Sequence, residues 1–110
     1  MSQKTVDVKM SYDQNNLYAV LKGELDHHGT KALREEIDHQ MCLLRPKALV
    51  LDMKQVGFMD SSGIGFLVGR VKLAEKWHGI VRVVDVPLHL LKIFALAGLE
   101  RLSGLKIESA

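Results

Sequence analysis

The chain has 110 residues, which suits one domain and is too short for two separate hydrophobic cores. Apolar residues make up 47% and charged residues 25%, and the net charge of +2 argues against binding to nucleic acid or to a membrane surface. The single cysteine excludes an internal disulfide, and no apolar run approaches the roughly 20 residues that cross a bilayer, so a soluble, cytoplasmic protein is expected.

The first part of the chain predicts a β-hairpin followed by a loop. Apolar residues alternate with polar ones over 6–10, and a second apolar run spans 17–21. The turn-forming cluster at 13–16 separates the two runs, which favours a hairpin. Gly23 is expected to end the second strand, and residues 24–29 are expected to form a loop.

The middle of the chain predicts a helix and then a buried strand. Residues 30–44 carry apolar side chains at helical spacing, and Pro46 disfavours continuation of that helix. Residues 48–51 are continuously apolar, which is typical of a central strand covered on both faces. Residues 52–57 are expected to form a connection.

The last half alternates helices and strands. We expect helices over 61–77 and 87–97, and strands over 80–84 and 105–108. The order of elements predicts an α/β fold with a mixed, mostly parallel sheet of four to five strands and helices packed against it. The whole chain, 1–110, is expected to form one domain.

The most informative stretch lies where the central strand passes into the second helix, Met59-Asp60-Ser61-Ser62-Gly63-Ile64-Gly65. Asp60 or Ser61 can accept hydrogen bonds from the free N–H groups at the start of the helix. Gly63 and Gly65 keep the turn small, so that another surface can approach closely. Because a helix N-terminus favours negative charge, a hydroxyl here is well placed to accept a phosphate.

This stretch closely resembles the phosphorylation loop of anti-sigma factor antagonists, which are members of the STAS-domain family. The tract Gly23-Glu24-Leu25-Asp26-His27-His28 is similar to the sporulation branch, which counters the anti-sigma factor of sigma-F. Further matches are Gly69-Arg70 and Gly98-Leu99, and the resemblance covers nearly the whole chain. It implies a STAS fold, in which the C-terminal helix of typical relatives would be shortened or absent.

The resemblance also implies a function. The unphosphorylated chain would bind an anti-sigma factor that is also a serine kinase and that carries ATP or ADP with magnesium, and the sigma factor would be released. The kinase would phosphorylate Ser61 and end binding, and a separate serine phosphatase would restore it. The chain would then be a binder and a substrate, monomeric alone, and not an enzyme, with no cofactor or metal of its own.

Individual site residues follow from the same resemblance. It maps the phosphorylated serine of relatives onto Ser61, with Ser62 as a neighbour suited to capping. Arg70 is expected to be exposed beside the loop. The residues expected on the partner-binding surface are Asp26, Asp60, Ser62, Gly63, Gly65 and Arg70.

Other interpretations stay open at this stage. The chain could be a STAS module of another partner-switching pathway, such as a stress response or a signalling complex. Asp26 and a histidine could serve Ser61 as a hydrolytic triad, although the nucleophile elbow Gly-x-Ser-x-Gly is absent. A metal site at His27 and His28 lacks a third ligand at a recognised spacing.

Two further patterns are weak indications of function. Gly63 and Gly65 lack the third glycine of the dinucleotide fingerprint, since position 68 is Val, and the P-loop lysine is also missing. Phe66, Leu73 and Trp77 form a second stripe on their helix, which serves either packing or an interface.

Overall fold

The computed structural model describes residues 5–110, in which strands and helices alternate along the chain. A short 3-10 turn at Leu99–Arg101 precedes the last strand. The elements are β1 (Val6–Asp13), β2 (Asn16–Leu25), α1 (His27–Leu44), β3 (Ala48–Met59), α2 (Ser61–Glu75), β4 (Ile80–Val86), α3 (Leu88–Leu96) and β5 (Leu105–Ser109).

The five strands form a single mixed sheet in which their spatial order equals their order along the chain. β1 and β2 are antiparallel, and every later neighbouring pair is parallel. The prediction of a mixed, mostly parallel sheet is confirmed, with five strands. Because β2 and β3 are parallel neighbours, their carboxyl ends meet at one edge of the sheet, where α1 and α2 begin.

One face of the sheet carries the hydrophobic core. Leu17, Leu49 and Val81 are register partners on three adjacent strands, and all three are buried. Helix α1 packs against β1 and β2, and α2 packs against β3 and β4. Helices α1 and α2 therefore lie side by side on the face of the sheet to which the buried residues of the strands point.

The other face of the sheet is partly exposed along β2. Tyr18 and Val20 on β2 are both 37% exposed. Residues 48–51 are all buried, so the prediction that this strand is covered on both faces is confirmed. Val50 is buried because its neighbours across the sheet are Tyr18 and Arg82, whose long side chains lie beside it in register.

Strand β3 is longer than expected, because residues 52–57 continue it to Met59. The expectation that these residues form a connection is therefore wrong. Beyond Asp52 the strand pairs with β2 alone, and the pairing has two register shifts. A strand that is paired on one side only can carry polar residues such as Lys54 and Gln55, so its apolar pattern is weak.

Helix and strand ends also differ from expectation by a few residues. Helix α1 begins at His27 and not at residue 30, because Asp26 caps it. Gly23 does not end β2, which continues to Leu25. Helix α3 spans 88–96, with Pro87 at its N-cap position.

The second stripe of α2 is a packing surface. Phe66 is 4% exposed, and Leu73 and Trp77 are partly buried against the core. Helix α2 ends at Glu75, two residues earlier than expected, and the indole Nε1–H of Trp77 donates to the carbonyl of Pro46 at 2.8 Å. No helix in residues 5–110 is both long enough and apolar enough to cross a membrane.

Candidate functional site

The two sequence tracts that stand out in the chain lie next to each other in space. Leu25 and Met59, the last residues of β2 and β3, are register partners. The backbone N–H of Asp60 donates to the carbonyl of Leu25 at 3.4 Å. The loops that begin helices α1 and α2 therefore form one continuous surface at the sheet edge.

Asp60 caps helix α2. Its Oδ1 accepts from the backbone N–H of Ser62 at 2.8 Å, and its carbonyl accepts from Gly63 and Ile64 at 3.0 and 3.3 Å. The bonds from Ser62 and Gly63 occupy N–H groups that would otherwise lack partners at the start of a helix, and the Ile64 bond is the first regular bond of the helix. The expectation that Ser62 suits the capping role is wrong, since Ser62 donates to the cap.

Ser61 is the first residue of α2, and it is exposed. Its hydroxyl takes part in no hydrogen bond among residues 5–110. The hydroxyl is thus accessible at a helix N-terminus, as expected, and it has no structural task there. A negative group on Ser61 would meet the favourable end of the helix dipole, which offsets the repulsion from the neighbouring Asp60 carboxylate.

Asp26 holds the start of α1 in the same way. Its Oδ1 accepts from the backbone N–H of Gly29 at 2.8 Å and from the hydroxyl of Thr5 at 2.7 Å. The Gly29 bond, followed by the Thr5 bond, holds the pKa of the Asp26 carboxyl below its ordinary value. Asp26 therefore has a structural task, and its role on a partner surface stays a prediction.

The two glycines of the loop differ in what surrounds them. A Cβ at Gly63 would meet the side chain of Met59 and lie 3.0 Å from the carbonyl of Leu25. The expectation that Gly63 leaves room for an approaching surface is wrong, since it leaves room for the protein's own interior. At Gly65 nothing lies within 4 Å of an added Cβ, so this position is open as expected.

Arg70 is buried, which corrects the expectation that it is exposed beside the loop. Only 5% of the residue is accessible, its guanidinium carbon lies 5.0 Å from the centre of the Phe66 ring, and its Nε lies 2.8 Å from Oδ1 of Asp38. Burial lowers the pKa of Arg70 and raises the pKa of Asp38, and in each case the attraction between them opposes the shift. Arg70 thus ties α2 to α1.

Sequence reasoning missed Asp38 and the part of α1 that faces α2. Asp38 gives no signal of its own in the sequence, because a charged residue on the polar side of a helix needs no partner. The available signal was that Arg34 and Asp38 are spaced by one helical turn, as are His27 and Lys31, so that they recur on related faces. That spacing alone does not say which face meets the neighbouring helix.

The geometry does not assemble a hydrolytic triad. No hydrogen bond within residues 5–110 joins a histidine to Ser61 or Ser62, and the Asp26 carboxylate is engaged by Gly29 and Thr5. The rings of His27 and His28 meet edge to face at 5.8 Å. The described part of the chain holds no cluster of three or more side chains that could bind a metal ion.

Comparison with known proteins gives consistent results. The family model described as "Mlab, STAS domain" matches residues 12–106. The anti-sigma F factor antagonist of Paenibacillus polymyxa is 36% identical over 88 residues, which are 78% of this chain and 75% of that protein. The anti-sigma-B factor antagonist of Bacillus subtilis (strain 168) is 25% identical over 112 residues, covering 94% of both chains.

Solved structures show the same fold. The unphosphorylated form of the anti-sigma factor antagonist SpoIIAA superposes with a TM-score of 0.78 at 24% identity, over 92% of this chain and 87% of that one. The phosphorylated form of SpoIIAA from Bacillus gives a TM-score of 0.71 at the same identity, over 92% and 90%. The chain belongs to the STAS-domain family, as an anti-sigma factor antagonist homologue.

Proposed function

We propose that the unphosphorylated chain binds an anti-sigma factor that is also a serine kinase, and that phosphorylation of Ser61 ends this binding. The observation that carries the proposal is that Asp60 and Ser61 have separate roles at the start of α2. Asp60 satisfies the helix N-terminus, which leaves the Ser61 hydroxyl exposed and without a partner. A modification there alters the surface without disturbing the fold.

The physical effect of the modification is local. A phosphate adds about −1.5 to −2 charge at neutral pH, at the point where two loops form one surface. The helix dipole tolerates this charge in the free protein, whereas a partner packed over Ser61 would have to bury it. A differential of about 3–5.5 kcal/mol between the two states is enough for a switch.

The proposed mechanism also implies a nucleotide, a phosphatase and a cellular compartment. ATP or ADP with magnesium would be bound by the kinase, and a separate serine phosphatase would remove the phosphate. Regulation of a sigma factor places the chain in the cytoplasm. The similarity to an anti-sigma F factor antagonist supports the sporulation branch, in which release of sigma-F is the outcome.

A binding titration tests the proposal. Wild type, Ser61→Ala and Ser61→Asp are titrated against the anti-sigma kinase in the presence of ADP. Wild type and Ser61→Ala should bind equally, and Ser61→Asp should bind at least tenfold more weakly. Incubation with ATP should add the mass of one phosphate to wild type and none to Ser61→Ala. Equal binding by all three forms would exclude charge at Ser61 as the switch.

A second pathway is supported by one observation. The anti-sigma-B factor antagonist is similar over 94% of the chain, more than the 78% covered by the sigma-F relative, although at lower identity. A stress-response partner is thus the alternative within the same mechanism. Titration against both kinds of anti-sigma factor, under the same conditions, distinguishes the two pathways by the ratio of their Kd values.

A further inference from the structure

Helices α1 and α2 leave a cleft of about 390 Å³ between their N-terminal halves. His27, Lys31 and Arg34 line it from α1. Ser62 lines it from α2, so the cleft begins one residue from Ser61. Whatever covers Ser61 therefore also lies over the mouth of this cleft.

The cleft has a positive electrostatic character. Lys31, Arg34 and Arg70 line it, and no aspartate or glutamate does so within residues 5–110. Neither Lys31 nor Arg34 has a carboxylate within ion-pair distance in this part of the chain, although Arg34 also attracts the Asp38 carboxylate from farther away. The N-termini of α1 and α2 lie at the same end but are capped by the Asp26 and Asp60 carboxylates, so the positive character of the cleft comes from its side chains. The site thus favours an oxyanion.

Arg70 supplies an independent reason to expect an anion. Its side chain is 7% exposed, and its buried Nη1 has no hydrogen-bond partner among the described residues. The contact of its Nε with Asp38 is close, but the N–H does not point at the carboxylate oxygen, so neither atom completes a hydrogen bond. The guanidinium is therefore short of hydrogen-bond acceptors, and although Asp38 lies beside it, its charge at the wall of the cleft attracts an incoming anion.

The wall formed by α2 has no side chains at two positions that line the cleft. Nothing lies within 4 Å of a Cβ built at Gly65 or at Gly69. Glycine in the middle of a helix costs stability relative to alanine, and here the protein's own packing does not require it. Bare helix backbone allows another polypeptide backbone to approach closely, which a small free anion would not need.

We propose that the cleft receives an aspartate or glutamate side chain from the anti-sigma partner, bound by Lys31 and Arg34 above the buried guanidinium of Arg70. This inference rests on the proposed function and adds the chemistry of the partner segment. It also gives a reason for the switch. A phosphate on Ser61 places negative charge beside an incoming carboxylate, and juxtaposed like charges oppose association.

Charge reversal in the 110-residue chain tests the site. Lys31→Glu and Arg34→Glu should each weaken binding to the anti-sigma kinase with ADP by more than tenfold. Lys9→Glu is the matched control, because this substitution changes the charge by the same amount on the opposite face of the sheet. The Lys9→Glu variant should bind the partner within twofold of wild type. Thermal melting confirms that each variant folds.

A rescue experiment distinguishes a specific contact in the cleft from a general electrostatic attraction between the two proteins. Acidic residues of the partner are changed to lysine one at a time and tested against Arg34→Glu, and one of them should restore affinity at least tenfold. The outcomes are distinguishable. If wild type does not bind the partner, the proposed function fails. If wild type binds and Ser61→Asp does not, while the cleft variants bind normally or no partner change rescues them, only this inference is overturned.

Discussion

Asp26 and Asp60 occupy equivalent positions in two successive strand–helix units. Each follows the last residue of a strand, the preceding residues Leu25 and Met59 are register partners, and each carboxylate accepts from the backbone at the start of its helix. The two loops are therefore built by the same device. Both carboxylates are engaged in capping hydrogen bonds. The groups at this edge that remain free to contact a partner are therefore the Ser61 hydroxyl and the side chains around it.

The first prediction concerns the cap at Asp26. Asp26→Ala should lower the free energy of unfolding by about 1 kcal/mol, because the Gly29 N–H and the Thr5 hydroxyl both lose their acceptor. Asp26→Asn is the matched control, since asparagine is also a good cap and should cost only a few tenths at pH 7. Urea unfolding measures both, and no loss in Asp26→Ala would show that the cap is unimportant.

The same variants should differ in their response to acid. The native pKa of Asp26 lies below its ordinary value, so folding favours the carboxylate. The stabilisation is complete above about pH 5 and is lost as the pH falls through the lowered native pKa. Between pH 5 and pH 2, stability should fall less steeply in Asp26→Asn than in wild type. Parallel curves would contradict the role of the charge.

The strand–helix junction at Asp60 and Ser61 was predictable because its signal is local. An apolar strand, a capping residue and a helical stripe follow one another within about a dozen residues. The burial of Arg70 and the pairing with Asp38 were not predictable in the same way, because they depend on which faces of α1 and α2 meet. That relation is set by the sheet, through the positions of β2 and β3.

The second prediction concerns the three glycines of α2. Gly65→Ala and Gly69→Ala should each raise the free energy of unfolding by about 0.5–1 kcal/mol, because an added methyl meets open space and alanine favours the helix. Gly63→Ala is the contrasting control and should destabilise, since its Cβ meets Met59 and lies 3.0 Å from the Leu25 carbonyl. Thermal melting of the three variants checks this order, and a destabilised Gly69→Ala would contradict the open cleft.

The third prediction concerns the ion pair between Arg70 and Asp38. Arg70→Met should cost about 2–3 kcal/mol, less than a fully buried pair would cost, because the Asp38 side chain remains 32% exposed to water. The double variant Arg70→Met, Asp38→Leu should recover most of that loss, since it removes the unpaired charge. A double-mutant cycle in urea measures the coupling, and additive costs would show that the pair contributes nothing.

The last prediction separates the roles of Asp60 and Ser61 through stability alone. Asp60→Ala should cost about 1 kcal/mol, because the N–H of Ser62 loses its 2.8 Å acceptor. Ser61→Ala should stay within about 0.5 kcal/mol of wild type, because its hydroxyl is exposed and has no hydrogen bond in the described part of the chain. Ser61→Asp should also stay within about 0.5 kcal/mol, since the favourable helix dipole is offset by repulsion from Asp60. Chemical unfolding at low and high salt measures all three. A loss near 1 kcal/mol in Ser61→Ala would mean that Ser61 has a structural task after all, and its exposure could then no longer be taken as evidence for a phosphate acceptor.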